Sequence, residues 1–180
     1  MSYPLCLAGD VVTLRDFTPG DVEDALAIVG DDRVTHWLSF DSRDRAGAEK
    51  MIGAAIAAAQ SDLRSEFYLA ITPPGSDRVV GFVRLARSGV QAGKLGYAVH
   101  ADHQGRGYAT DAARTLIKYA FDQLGLHRIT AAVGPDNVAS IALLKHLGFT
   151  PEGRLRDHVF TNDAWRDSLL FSLLDHEPTS

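Results

Sequence analysis

The chain has 180 residues, 46% of them hydrophobic, and a formal net charge of −5. That length suits a single domain over residues 1–180 with a sizeable core. The acidic balance excludes nucleic acid as the main partner, because a basic face supplies most of such affinity. Cys6 is the only cysteine, which excludes an internal disulfide and a thiolate zinc site and fits a reducing compartment. Residues 51–59, the longest apolar window, are far too few to span a bilayer, and no signal-like run opens the chain. The expectation is a soluble, cytoplasmic protein with no membrane partner and no metal.

In chain order, Val11-Val12-Thr13-Leu14-Arg15 reads as a first strand, rich in β-branched side chains. Thr18-Pro19-Gly20-Asp21 then starts a helix, with Thr18 at the cap, Pro19 at the first helical position and Asp21 as the capping-box acid. Gly30 ends it. A second helix is predicted over about residues 45–60, with Met51, Ile52, Ala55, Ile56 and Ala59 on one face. Phe67-Tyr68-Leu69-Ala70-Ile71 and Val79-Val80-Gly81-Phe82-Val83-Arg84-Leu85 flank the turn-rich Pro73-Pro74-Gly75-Ser76-Asp77 and predict a β-hairpin. A further strand, Leu95-Gly96-Tyr97-Ala98-Val99, runs into the loop His103-Gln104-Gly105-Arg106-Gly107-Tyr108-Ala109. Beyond it Ala109, Ala112, Ala113, Leu116, Ala120 and Leu124 repeat at helical spacing up to Gly125. Residues 128–133 form a strand, Gly134-Pro135-Asp136-Asn137 a turn, and residues 138–147 a helix closed by Gly148. Residues 154–160 and 165–173 flank Thr161-Asn162-Asp163-Ala164 as a closing hairpin. This order predicts a mixed α/β domain with one sheet.

The glycine loop lies between a strand and a helix, where the first backbone N–H groups of the helix lack intrahelical partners and the helix dipole favours an anion. Gly105 and Gly107 let the backbone approach a phosphate and adopt positive φ, and Arg106 adds charge. A Walker loop would end in Gly-Lys-Ser or Gly-Lys-Thr, and a dinucleotide fingerprint would need a small residue at Thr110 and an acid where Ala132-Val133-Gly134 stands. The loop thus predicts a phosphate or pyrophosphate of another kind, against the plainer alternative of a turn that uses glycine for geometry.

Gln104-x-x-Gly107-x-Ala109 resembles the acetyl-CoA signature of the GNAT superfamily of N-acetyltransferases. So do the preceding strand with His100-Ala101-Asp102 after it, Asp136-Asn137-Val138-Ala139-Ser140 followed by Leu147-Gly148-Phe149, and the tail from Arg154-Leu155-Arg156-Asp157 to Trp165-Arg166-Asp167. Within the superfamily the chain is similar to the RimJ/RimL ribosomal-protein acetyltransferase branch. The resemblance implies an α/β fold with one twisted, mostly antiparallel sheet, splayed central strands and helices on both faces. It also implies that the backbone of Tyr97, Ala98 and Val99 bonds the pantetheine arm of acetyl-CoA. The amides of Gln104, Gly105, Arg106, Gly107, Tyr108 and Ala109 would hold its pyrophosphate, and Asn137 would contact it from the far side of the splay. Asn137 after Pro-Asp is equally a helix N-cap.

Acyl transfer from a thioester to an amine needs a deprotonated amine, a donor for the charge developing on the thioester oxygen, and a proton for the leaving thiolate. The resemblance implies that the Val99 N–H is the carbonyl donor. Many superfamily members place a leaving-group tyrosine where this chain has Leu144, whereas Ser140 matches the serine of the RimJ/RimL-like branch. The strand positions where many members carry a glutamate base are Thr130 and Ala132; Glu66, Asp157, His158 and Asp167 are other candidates, and none is assigned. Val34-Thr35-His36-Trp37-Leu38-Ser39-Phe40 lies where the superfamily builds its acceptor pocket. His36 and Trp37 are the candidate acceptor residues, Leu38 and Phe40 read better as core, and Asp31, Asp32 and Asp41 would attract a cationic amine. The expected function is transfer of acetyl from acetyl-CoA to a primary amine acceptor. Another donor such as succinyl-CoA, a non-catalytic acyl-CoA sensor and a homodimer all remain open.

Overall fold

The computed structural model describes residues 3–177. Strands β1 (Cys6–Ala8), β2 (Thr13–Asp16), β3 (Glu66–Thr72), β4 (Gly81–Arg87), β5 (Ala92–Val99), β6 (Arg128–Val133), β7 (Thr150–Thr161) and β8 (Ala164–Leu174) form one sheet in the order β1-β2-β3-β4-β5-β6-β8-β7. Every neighbouring pair is antiparallel except β5 with β6. The helices are α1 (Val22–Val29), α2 (Asp32–Thr35), α3 (Arg45–Gln60), α4 (Tyr108–Asp122) and α5 (Val138–His146). Among the described residues no helix is long and apolar enough to cross a membrane.

Local chemistry explains the boundaries. The Asp21 carboxylate accepts from the Thr18 N–H at 2.7 Å, fixing a 3-10 turn (Pro19–Asp21) that leads into α1. Asp44 accepts from the Gly47 N–H at 2.9 Å and starts α3. Asn162 and Asp163 both take the left-handed conformation (φ 50° and 56°), the geometry of a two-residue hairpin turn between β7 and β8. Two short elements depart from the sequence expectation. The chain opens with β1, and α2 interrupts the stretch between α1 and α3; each is too short to carry a periodic signal.

Alternation along the strands builds a core on each face of the sheet. Phe67, Leu69 and Ile71 of β3 join Val83 and Leu85 of β4 under α4, with Leu116 and Ile117 fully buried there. Ala70 and Phe82 face the other way, against Ala25, Ile28, Ala48 and Ile52 of α1 and α3. The predicted helix face of Met51, Ile52, Ala55 and Ala59 is buried, with Ile56 partly so.

Asp111, in the first turn of α4, is 3% exposed. It accepts from the backbone N–H groups of Asp10 (3.2 Å), Val11 (2.8 Å) and Val12 (2.8 Å). This is why β2 begins at Thr13 rather than at Val11: the preceding residues turn around the carboxylate. A Cβ on Gly9 would lie 2.4 Å from Asp111 Oδ2, so only glycine fits there. The bond set anchors the N-terminal end of α4, which carries the glycine loop. Replacing Asp111 with Ala should strand these donors, that of Val12 buried, and lower the unfolding free energy by about 2–4 kcal/mol, read by urea denaturation.

Candidate active site

Only three residue pairs join β5 to β6: Ala92 with Arg128, Gly93 with Ile129 and Lys94 with Thr130. From there β6 stays with β8 as far as Val133 opposite Leu169, and β5 stays with β4 as far as Val99 opposite Gly81. The two halves of the sheet therefore part. Bonds at both ends of the β4–β5 ladder, Ser88 N–H to Ala92 O and His100 N–H to Val80 O (both 2.8 Å), set its alternation. Even-numbered residues of β5 bond to β4 and odd-numbered residues face β6. Past the third pair, the backbone of Tyr97 and Val99 faces the gap with no strand partner. The Gln104 side chain donates to the Val99 carbonyl at 3.1 Å, leaving the Val99 N–H directed into the opening. Ala98 differs from the expectation for it. Its amide and carbonyl turn to Phe82 on β4, so it contributes wall rather than pairing groups.

At the end of β5 a 3-10 turn (Ala101–His103) leads to Gly105 (φ 74°) and Gly107 (φ 78°). Gly107 stands at the N-cap of α4 with no side-chain cap, and the first helical bond runs from the Asp111 N–H to the Gly107 carbonyl at 3.0 Å. The amides of Tyr108, Ala109 and Thr110 thus have no intrahelical acceptor. A Cβ at Gly105 or Gly107 would meet nothing within 4 Å. Backbone conformation demands these glycines, and the space before them is open to a ligand.

The gap and the loop form one cleft of about 760 Å³. It brings together Tyr97, Ala98, Val99, Gln104, Gly105, Gly107, Tyr108, Ala109, Asn137, Ser140 and Trp37. Arg106 and His36 do not line it. Arg106 is exposed and donates to the Asp102 carbonyl at 3.3 Å. The His36 ring packs edge-on against Trp37, 4.7 Å between centroids, while its carbonyl accepts from Arg166 Nη1 at 2.5 Å.

Asn137 caps α5, its Oδ1 accepting from the Ser140 N–H at 3.2 Å, and its amide nitrogen remains for the cleft. Ser140 lies beside Tyr97, whose buried hydroxyl has no hydrogen-bond partner among the described residues. Burial pushes this phenol up to about 12, and the nearby Ser140 hydroxyl acts in the opposite direction. Tyr97 therefore keeps its proton at neutral pH, its ring lining the cleft and its hydroxyl buried in the wall near Ser140. Leu144 is fully buried in the core and does not line the cleft.

The acidic candidates lie outside. Glu66 is held by Arg84, which does line the cleft. Asp167 accepts from the Asp157 N–H at 2.9 Å and from Arg154 at 2.6 Å, and the two bonds hold it below the usual carboxylate range. Asp31 bonds Arg33, Asp41 accepts from the Asn162 N–H at 2.8 Å, and neither lines the cleft. Leu38 and Phe40 pack against the core, Leu38 also reaching the cleft. His158 and Ser168 line the cleft with Nδ1 and Oγ 2.9 Å apart. Ser168 carried no motif in the sequence; only its strand pairing brings it to the site.

Residues 12–150 match the acetyltransferase (GNAT) domain, and the chain belongs to this family of N-acetyltransferases. It is 36% identical over 113 residues to the probable N-acetyltransferase YjcK of Bacillus subtilis, covering 61% of this chain and 62% of that protein. It is 33% identical over 112 residues to the [ribosomal protein uS5]-alanine N-acetyltransferase of Escherichia coli, covering 61% and 58%. The matched stretch thus spans less than two thirds of either relative. The structure of Mycobacterium smegmatis RimJ in complex with CoA-disulfide superposes with a TM-score of 0.83 at 26% identity, over 96% of this chain and 88% of that one. Gly107→Val, which forces a β-branched residue into positive φ at the loop, should leave the circular dichroism spectrum intact and weaken CoA binding about tenfold or more in calorimetry.

Proposed function

We propose that the protein transfers the acetyl group of acetyl-CoA directly to a primary amine, both substrates being held together in the cleft. The observation that carries this reading is the unpaired edge of β5 standing next to an uncapped, glycine-opened helix N-terminus. An extended arm bearing amides can pair with Tyr97 and Val99 as an added strand would, while its pyrophosphate meets the amides of residues 105–110. The open space before Gly105 and Gly107 fits that group. Anion binding here is local, compatible with a chain of net charge −5.

At the reacting end, the Val99 N–H faces the gap and would stabilise charge on the thioester oxygen. The Ser140 hydroxyl would donate a hydrogen bond to the sulfur as the C–S bond breaks. Trp37 and the loop pinned by Arg166 would wall the acceptor side. The acceptor class we favour is a peptide or protein N-terminus; the E. coli relative is named for the alanine of a ribosomal protein.

Thiol release from acetyl-CoA, measured with an alanine-led peptide, a serine-led peptide, spermidine and free amino acids, tests the reading. Release with at least one amine, with the acetylated product seen by mass spectrometry, is expected. Tight CoA binding without release for any of them would indicate a sensor instead. Ser140→Ala should lower kcat about tenfold, the worth of one hydrogen bond, while changing the acetyl-CoA KM far less. Unchanged kcat would leave Ser140 as a helix-turn residue only.

A further inference from the structure

Transfer in this cleft, the reading on which this inference rests, requires the incoming amine to lose a proton. No carboxylate is in place to take it: among the described residues lining the cleft there is no Asp or Glu. Three histidines line it. His103 adjoins the glycine loop; its Nδ1 is buried without a partner, and burial, then the Arg106 charge, lower its basicity. His146 ends α5, with Nε2 3.5 Å from an Arg114 guanidinium nitrogen. His158 stands apart from both, on the hairpin that meets the Trp37 loop.

That hairpin is tied to the acceptor side at several points. Arg166 donates to the carbonyls of His36 and Leu38, and the Asn162 N–H donates to Asp41. The β7–β8 register shifts between Leu155 and Val159, where Asp157 takes φ 46°. Such an irregularity re-aims a side chain, and here it precedes His158. Ser168, 4% exposed, lies 2.9 Å from His158 Nδ1, while the imidazole itself is exposed. With Nδ1 engaged, Nε2 is the free ring nitrogen.

We propose that His158 is the general base of the transfer, and that Ser168 is its positioning residue. The neutral ring donates Nδ1–H to Ser168 Oγ, and Nε2 takes a proton from the ammonium; the lone pair so freed forms the C–N bond, and as the C–S bond breaks the second proton on that nitrogen goes to the sulfur. An ammonium substrate gives up two protons in becoming an amide; the sulfur takes up one to leave as a thiol. The other passes from His158 to solvent, which the exposed ring reaches. The charged groups sharing its surroundings are Arg154, Arg156, Asp157 and Asp167 on the hairpin, and Arg84 and Lys94 in the cleft lining.

The test compares wild type with His158→Gln and Ser168→Ala, using the fastest amine of the panel above and acetyl-CoA. For His158→Gln, kcat at pH 7 should fall about 100-fold, with acetyl-CoA affinity by calorimetry unchanged. The deficit should shrink as pH approaches the pKa of the amine, because the acceptor then arrives deprotonated. Ser168→Ala should move the acid limb of the pH–rate profile, which a mere packing defect would not. If wild type transfers acetyl and His158→Gln keeps its turnover within about twofold, against a base's usual hundredfold or more, the base assignment is overturned and the transfer reading stands. Absence of transfer by wild type overturns both.

Discussion

The site depends on a single constraint: β5 and β6 are held in register for only three residues. In a closed sheet the odd-numbered backbone groups of β5 would bond to the next strand. Here β6 is drawn along β8 instead, over its whole length, and β5 along β4. An exposed strand edge is ordinarily a liability, since its unpaired groups invite any extended chain. In this fold the edge lines a cleft, with room for an extended, amide-bearing group beside it. Asp111 supports the arrangement from outside by locking the start of α4 to the turn between β1 and β2.

The electrostatics are local in the same way. A net-negative molecule presents a few oriented amides at an uncapped helix end, with the left-handed Gly107 turning the chain so that they face the cleft. The groups that would handle protons are a serine hydroxyl in the cleft and an imidazole beside a second serine on the exposed hairpin. Carboxylates are used elsewhere, as caps and ion-pair partners on the scaffold. A cleft lined this way can take in an anionic donor without repelling it.

Much of this was legible in the sequence, and the limits have physical reasons. The bounds of α3 and β6 agree with the spacing of apolar residues, and the ends of α4 and α5 with the glycines that stop them, because caps and periodicity act over a few residues. The loop announced an anion for the same reason. The splay did not: nothing in residues 92–99 or 128–133 says that their pairing ends after three residues, and only the family resemblance implied it. Asp111 with residues 10–12, and Arg166 with the Trp37 loop, join parts of the chain about a hundred or more residues apart. The pairing of His158 with Ser168 depends on a strand irregularity that no local rule places. The one inversion of a backbone role, at Ala98, follows from alternation and becomes visible only once the register with β4 is known.

Amide hydrogen exchange with and without acetyl-CoA tests the central claim most directly. Strong slowing at Val99 and Tyr97 and at residues 105–110, with Ala98 already slow in the free protein through its bond to β4, is the predicted pattern. Protection that leaves these odd-numbered amides unchanged, or that falls on another part of the chain, would contradict the placement of the donor in the gap between β5 and β6.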